Sequence, residues 1–406
     1  MKKLIWIVWL ATVLICVCFV GSLWAEEKTP AIGKPSGLAL RAEKPLVQMA
    51  ILLDTSGSMS GLIDQARVEL WAIVNEFIFA KRNGLEPELQ VALYEYGKSS
   101  LAKKDGYIRQ IVPFTTDLDK VSEELFALKT NGGDEYCGWV IKEATQALEW
   151  SDSPDNLKVI FIAGNEPFTQ GPVDYRQVCR ATISKGIVVN TIHCGSDADG
   201  VTGKWKDGAV LADGQYMNIN HNRKTIHIEA PQDKEIAELS VKLNDTYIAF
   251  GRAGQMARQR QSAQDRNAAS ASKEAAVQRA VAKSSFNYRN ESWDLVDAIK
   301  GNKMKLEDVK DEDLSEELRR MNAKEREAYV DAKAKERAHI QQEIQQLNEQ
   351  REKYIAAEMK KRQGKADTLG SAITKAVREQ AVSKNFTFQT PEREKPENSE
   401  TEKESK

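Results

Sequence analysis

The stretch LVQMAILLDTSGSMSGLI, residues 46–63, decides how this chain folds. Apart from Gln48, residues 47–53 are apolar without interruption, as a strand covered on both faces must be and a half-exposed strand is not. The run ends in Asp54-Thr55-Ser56-Gly57-Ser58, and a helix follows over residues 62–80, where Leu62, Ala66, Leu70, Ile73 and Phe77 recur three or four apart. A buried strand that turns through glycine into an amphipathic helix is the opening unit of an α/β sheet. In that turn Asp54, Ser56 and Ser58 stand two apart, so alternate side chains can converge on one point. One carboxylate and two hydroxyls make an all-oxygen donor set, which suits a hard divalent cation, Mg²⁺ first and Mn²⁺ or Ca²⁺ next, rather than zinc or copper. Ligands of open α/β sheets sit beyond the carboxyl ends of the strands, which is where this loop leaves its strand.

Working outward, strand-like runs recur at residues 89–96, 157–163 and 187–193, separated by helical patterns. Residues 107–114 alternate over a shorter length, and Pro113 confines them to an edge. A strand-like piece at 214–219 and a helix at 233–243 close the pattern. The expected fold class is therefore α/β, a doubly wound and mostly parallel sheet over residues 46–250. After Gly251 the composition shifts to Ala, Lys, Glu, Gln and Arg, which predicts a largely α-helical, charged region over residues 252–386. Ile340, Ile344, Leu347 and Tyr354 fit a coiled-coil-like seam that would permit self-association, but Arg351 interrupts it. An apolar and aromatic island, residues 286–299, is a candidate for docking onto the core or a partner. Residues 387–406, rich in Pro, Glu, Lys and Ser, read as a disordered tail.

Lys2 and Lys3 precede an apolar run over residues 4–24 that ends in small residues before Glu26 and Glu27. Residues 1–25 are thus expected to be an export signal cleaved near Ala25 or, at nearly bilayer-spanning length, an N-terminal membrane anchor. Either way the bulk of the chain belongs outside the cytoplasm, in a periplasm or at a cell surface. The formal net charge of −2 over 406 residues provides no global field for nucleic acid, which is excluded as a partner. Three of the five cysteines, Cys137, Cys179 and Cys194, lie outside the N-terminal segment; so few argue for buried small hydrophobes, not a disulfide scaffold.

Over residues 46–250 the chain resembles the von Willebrand factor type A family. The resemblance is carried by the apolar strand, by DTSGSM, by Thr130-Asn131-Gly132-Gly133 in place of the family's second metal loop, and by VIFIAGNEPF, residues 159–168, in place of its strand and third loop. It departs from the family at two points. Asp134, followed by Glu135, stands where the family has a threonine, and Gly164 stands where it has an aspartate, with Asn165 and Glu166 as the nearest donors. An acid has in effect moved between loops. The expected metal set is Asp54, Ser56, Ser58 and Asp134, with Glu166 or Asn165 as outer partner; Glu135, Asn165 and Tyr96 are candidates for the ligand rim.

The resemblance implies binding, with the cation completing its coordination on an acidic side chain of a protein partner. The alternative is a scaffolding envelope protein that works through its long helices, its metal loop degenerate or merely stabilising. No G-x-x-x-x-G-K-[ST], G-x-S-x-G or H-E-x-x-H pattern occurs, so an enzyme is not expected. His193 and Cys194 are adjacent on a strand and point to opposite faces, which rules them out as a dyad. His221 and His227 lack zinc-ligand spacing and read as surface residues, and Trp139, Trp205 and Trp293 as packing anchors.

Overall fold

A computed structural model describes residues 44–220, 222, 228–362 and 368–388. The expected signal or anchor, His221 and His227, and the tail beyond Phe388 lie outside the described residues. The strands are β1 (Leu46–Asp54), β2 (Ala80–Lys81), β3 (Glu88–Tyr96), β4 (Ile108–Thr115), β5 (Leu157–Gly164), β6 (Val188–Cys194), β7 (Tyr216–Ile219) and β8 (Thr387–Phe388). Six of them form one sheet in the order β4-β3-β1-β5-β6-β7, parallel except for the β4 edge. β4 carries Pro113, and its register against β3 slips between Val91 and Tyr94, as befits an edge strand.

The central position of β1 explains its composition. Val47, Met49, Ile51 and Leu53 point into one apolar layer with Leu62, Leu70 and Trp71 of α1 (Ser60–Asn75) and Val121 of α2 (Leu118–Ala127). Ala50 and Leu52 point into the other, with Val140 of α3 (Cys137–Ala147) and Val178 of α4 (Tyr175–Ser184). The short helices α5 (Asp197–Thr202) and α6 (Trp205–Val210) follow β6, and α6 buries Trp205 in that second layer. Cys137, Cys179 and Cys194 are free and buried, in keeping with their reading as small hydrophobes.

The helical region does not stand away from the sheet. The described residues from Lys44 on form one compact unit. It contains α7 (Asp233–Asn244), α8 (Gly251–Ala271), α9 (Lys273–Lys283), α10 (Leu295–Lys300), α11 (Glu316–Arg319), α12 (Ala323–Arg362) and α13 (Leu369–Ser383). Leu369, Ile373, Ala376, Val377 and Ala381 form one stripe of α13 and enter the same apolar layer as β1 and α1. The last described helix therefore completes a layer begun some three hundred residues earlier. Gln65 of α1 accepts from Leu369 N at 3.0 Å, and Asn190 of β6 exchanges side-chain hydrogen bonds with Gln380. Thr387 and Phe388, which were expected to open a disordered tail, instead pair antiparallel with Lys81 and Ala80, because Phe388 finds an apolar surface there.

The seam of α12 is also taken up within the chain. Ile340 and Ile344 pack with Ile236, Leu239 and Leu243 of α7 and with Val281 of α9. Arg351, the residue that breaks the heptad pattern, is fully buried and donates to Asp233 at 2.7 Å and Glu274 at 2.6 Å. Island 286–299 docks on the body: Tyr288 donates to Asp119 at 2.6 Å, and Trp293 packs beside Tyr247. Arg337 holds Asp294 and Asp297 at 2.6 and 2.7 Å and lies over the Tyr247 ring.

One buried charge network ties these helices to the α/β layers. Arg279 of α9 stacks over Trp71 of α1 and pairs with Asp119 of α2 at 2.7 Å and with Asp265 of α8. Lys283 joins Asp265 at 3.0 Å. Removing one member of such a network strands a buried charge, so Arg279→Ala should cost about 3–5 kcal/mol in urea unfolding. Burial is the main force that lowers the Lys283 pKa, from its usual 10.5 to about 8. The unfolded chain then holds more protons between those values, so this group makes stability rise with pH across that window. The slope of unfolding free energy from pH 8 to 10 should therefore be more positive in the natural protein than in Lys283→Met.

Candidate metal centre at the end of the central strand

Strand β1 delivers Asp54 to the carboxyl edge of the sheet, level with Tyr96 on β3. The loop after it is pinned on two sides. Thr55 N donates to Tyr96 O at 2.8 Å, and Thr55 O accepts from Asn131 N of the second loop at 3.0 Å. Inside the turn, Asp54 Oδ1 accepts from Ser56 N at 2.7 Å, and the hydroxyls of Ser56 and Ser58 lie 3.3 Å apart. Asp54, Ser56 and Ser58 are thus brought together.

Of the two acids in the second loop, Glu135 is the one that meets Asp54. A Cβ placed on Gly97 would fall 2.7 Å from Glu135 Cγ and 2.8 Å from Asp54 Oδ1, so both side chains crowd the same point. Gly97 has φ +81°, a conformation that also favours glycine. Asp134 is placed otherwise: its carboxylate accepts from the Tyr136 hydroxyl at 3.2 Å. Gln170 accepts from Glu135 N and holds the loop in this register.

The third loop stands at the rim. Glu166 is exposed, and its backbone N donates to Glu135 Oε2 at 3.4 Å. Asn165 uses its backbone oxygen to contact His193 Nε2 at 3.2 Å, while its Oδ1 is buried without a hydrogen-bond partner. Tyr96 reaches across: its hydroxyl donates to Ala163 O at 3.0 Å. That phenol also accounts for Gly164, because a Cβ there would fall 2.5 Å from the Tyr96 hydroxyl and 3.2 Å from Asp54 Cβ.

The electrostatics set this pair apart from the acid next to it. Glu95 is fully buried too, but Arg109 pairs with it at 2.6 Å and Lys98 at 3.7 Å. Asp54 is 0% exposed and Glu135 3%, and among the described residues neither has an ion pair with a Lys, Arg or His. Asp54 Oδ2 has no hydrogen-bond partner by distance and angle, although the Glu135 carboxyl is near enough to interact with it. Burial pushes both carboxyl pKa values up, and the Asp54 charge raises Glu135 further. Glu166 adds to the repulsion on both. Among the described residues no group of three or more His, Cys, Asp or Glu is gathered as a metal site. Two carboxyl groups and two hydroxyls, those of Asp54, Glu135, Ser56 and Ser58, are the oxygen groups gathered at this loop.

A mostly parallel sheet with one antiparallel edge, and an Asp-x-Ser-x-Ser turn leaving its central strand, is the arrangement that the sequence resemblance implied. The fold is von Willebrand factor type A-like. Solved structures similar to it include BatB from Bacteroides thetaiotaomicron (16% identity, 43% of this chain and 90% of that chain, TM-score 0.33). The SpRpn10 VWA domain is similar at 16% identity over 43% of this chain and 88% of its own, TM-score 0.33. A von Willebrand factor type A protein from Catenulispora acidiphila is similar at 15% identity over 44% of this chain, TM-score 0.32, and only 39% of its length is covered. No protein-family model and no curated protein matches the sequence.

Within this von Willebrand factor type A-like fold, sequence reasoning placed Glu135 at the rim, not beside Asp54. The signal for Gly97 was a glycine directly after a buried strand. Gly164→Ala should destabilise the domain by about 1–3 kcal/mol through overpacking. Combining it with Tyr96→Phe, which removes the obstructing oxygen, should recover part of that loss in thermal unfolding; strict additivity would show that the two sites are not coupled.

Proposed function

We propose that this chain is an exported protein-binding module whose partner is recognised through a divalent cation held at Asp54, Ser56, Ser58 and Glu135. The observation that supports this reading is the Asp54 carboxylate, fully buried beside the Glu135 carboxyl, with no basic side chain beside it among the described residues. A buried carboxylate without a counter-charge is costly, and a facing second carboxyl group makes it more so. A hard cation would relieve both. Mg²⁺ fits the oxygen donors best, with Mn²⁺ and Ca²⁺ as alternatives. Glu166 and Asn165 would stand at the outer edge and orient bound water.

When bound, such an ion supplies a coordination position that an oxygen of a partner protein can fill. The surrounding surface permits access, since Asn131, Gly132, Gly133 and Glu166 are exposed at the mouth of the loops. Export rests on residues 1–25; among the described residues no helix is long and apolar enough to cross a membrane. The helical region is less suited to act as a free scaffold, because Ile340, Ile344 and the α13 stripe are buried against the domain itself.

Calorimetric titration with Mg²⁺, Mn²⁺ and Ca²⁺ should give saturable binding at about millimolar concentration or tighter, lost in Asp54→Ala. Capture of partners from envelope extract should fail in chelator and fail equally with Asp54→Ala. A natural protein that takes up none of the three ions would end this reading.

A further inference from the structure

In the fold family resembled here, a partner's carboxylate completes the cation's shell, and the site stays one acid short until the partner arrives. This chain places a second acid of its own beside Asp54. Glu135 is 3% exposed, on the loop that faces Asp54 across Gly97, and it shares its immediate surroundings with Asp54 and Ser56. Among the described residues it has no basic partner, whereas the similarly buried Glu95 has two. The backbone is built to keep it there. Gly97 provides the space, the Glu166 N–H donates to its carboxylate, and Gln170 accepts from its backbone N. On the opposite side Gly164 and the Tyr96 hydroxyl leave no room for the acid that the family carries in its third loop.

We infer that Glu135 is a direct ligand of the cation and stands in for the partner's carboxylate, so that this site is read by uncharged oxygen donors of a partner rather than by an acidic side chain. The inference rests on the cation binding of the preceding section and narrows the partner class. Charge decides it. Asp54 and Glu135 together cancel a divalent charge, and Glu166 beside them adds another negative group, so an incoming carboxylate meets a neutral or negative centre. A backbone carbonyl or a hydroxyl carries no such penalty. A site that supplies both carboxylates also holds its ion more tightly before any partner is present, since ligand charge tunes affinity for hard cations.

Manganese alone, then manganese with acetate as a carboxylate probe, tests this on the full chain. Glu135→Gln, of nearly the same volume, should weaken Mn²⁺ binding by about tenfold or more in calorimetry. With saturating Mn²⁺ the natural protein should melt higher than the same variant, because it binds the ion more tightly. Acetate should leave the Mn²⁺ affinity of the natural protein unchanged and should tighten it in Glu135→Thr, which reopens the position. Equal Mn²⁺ affinity in the natural protein and Glu135→Gln would overturn the inference while leaving cation binding intact. So would acetate tightening Mn²⁺ in the natural protein. Absence of Mn²⁺ binding in the natural protein would instead overturn both this inference and the reading it rests on.

Discussion

Two carboxyl groups, Asp54 and Glu135, are buried against each other at the end of the central strand, and among the described residues no basic side chain stands beside either. Taking one such group out of water is unfavourable, and bringing a second next to it raises the cost again. The fold could avoid this by exposing one of them or by lending the pair an arginine, as it does for Glu95 a short distance away. It does neither. β1 is fixed by parallel pairing on both edges and by apolar layers on both faces, so Asp54 has no freedom to withdraw. Glu135 is held by the loop that leads into α3, and the glycine at position 97 is shaped to receive it. The neighbouring loops carry their own close fit: Gly164 leaves room for the Tyr96 phenol and for Asp54.

The rest of the chain keeps that geometry rigid. Helix α1 starts directly after the Asp54 loop and is covered by α9 and α13, which arrive from far along the chain. Arg279, lying over Trp71 and paired with Asp119 and Asp265, anchors this cover through charges that only a complete network can satisfy. The loop that carries Asp54 and the helices that follow the sheet are therefore parts of one packed body, and the helical region serves the site by holding α1 in place.

The sheet was legible because burial on both faces leaves a plain mark, a strand such as residues 47–53 with almost no polar interruption. The serines of the Asp54 loop were legible because their spacing and their place after that strand can be read together. Which acid of Asp134 and Glu135 turns inward was not, since that depends on the register of an irregular loop, set by contacts with Gly97 and Gln170 that are distant in sequence. The packing of the helices was hidden for a different reason. Arg279, Lys283, Arg337 and Arg351 read as solvated charges in a stretch rich in Lys and Glu, yet each is buried against acids from other elements. Arg351 in particular looked like a break in a seam and is the residue that clamps α12 to α7 and α9. The α13 stripe did have helical spacing, but nothing in its own sequence tells which surface it meets.

Crystals of the natural protein grown with Mn²⁺ and measured at a wavelength where manganese scatters anomalously would address the central claim most directly. The account predicts one strong peak within about 2 Å of carboxylate oxygens from both Asp54 and Glu135, with the Ser56 and Ser58 hydroxyls also in contact. A map without a peak at that position, or a peak bound by Asp54 and the serines while Glu135 points away, would contradict it.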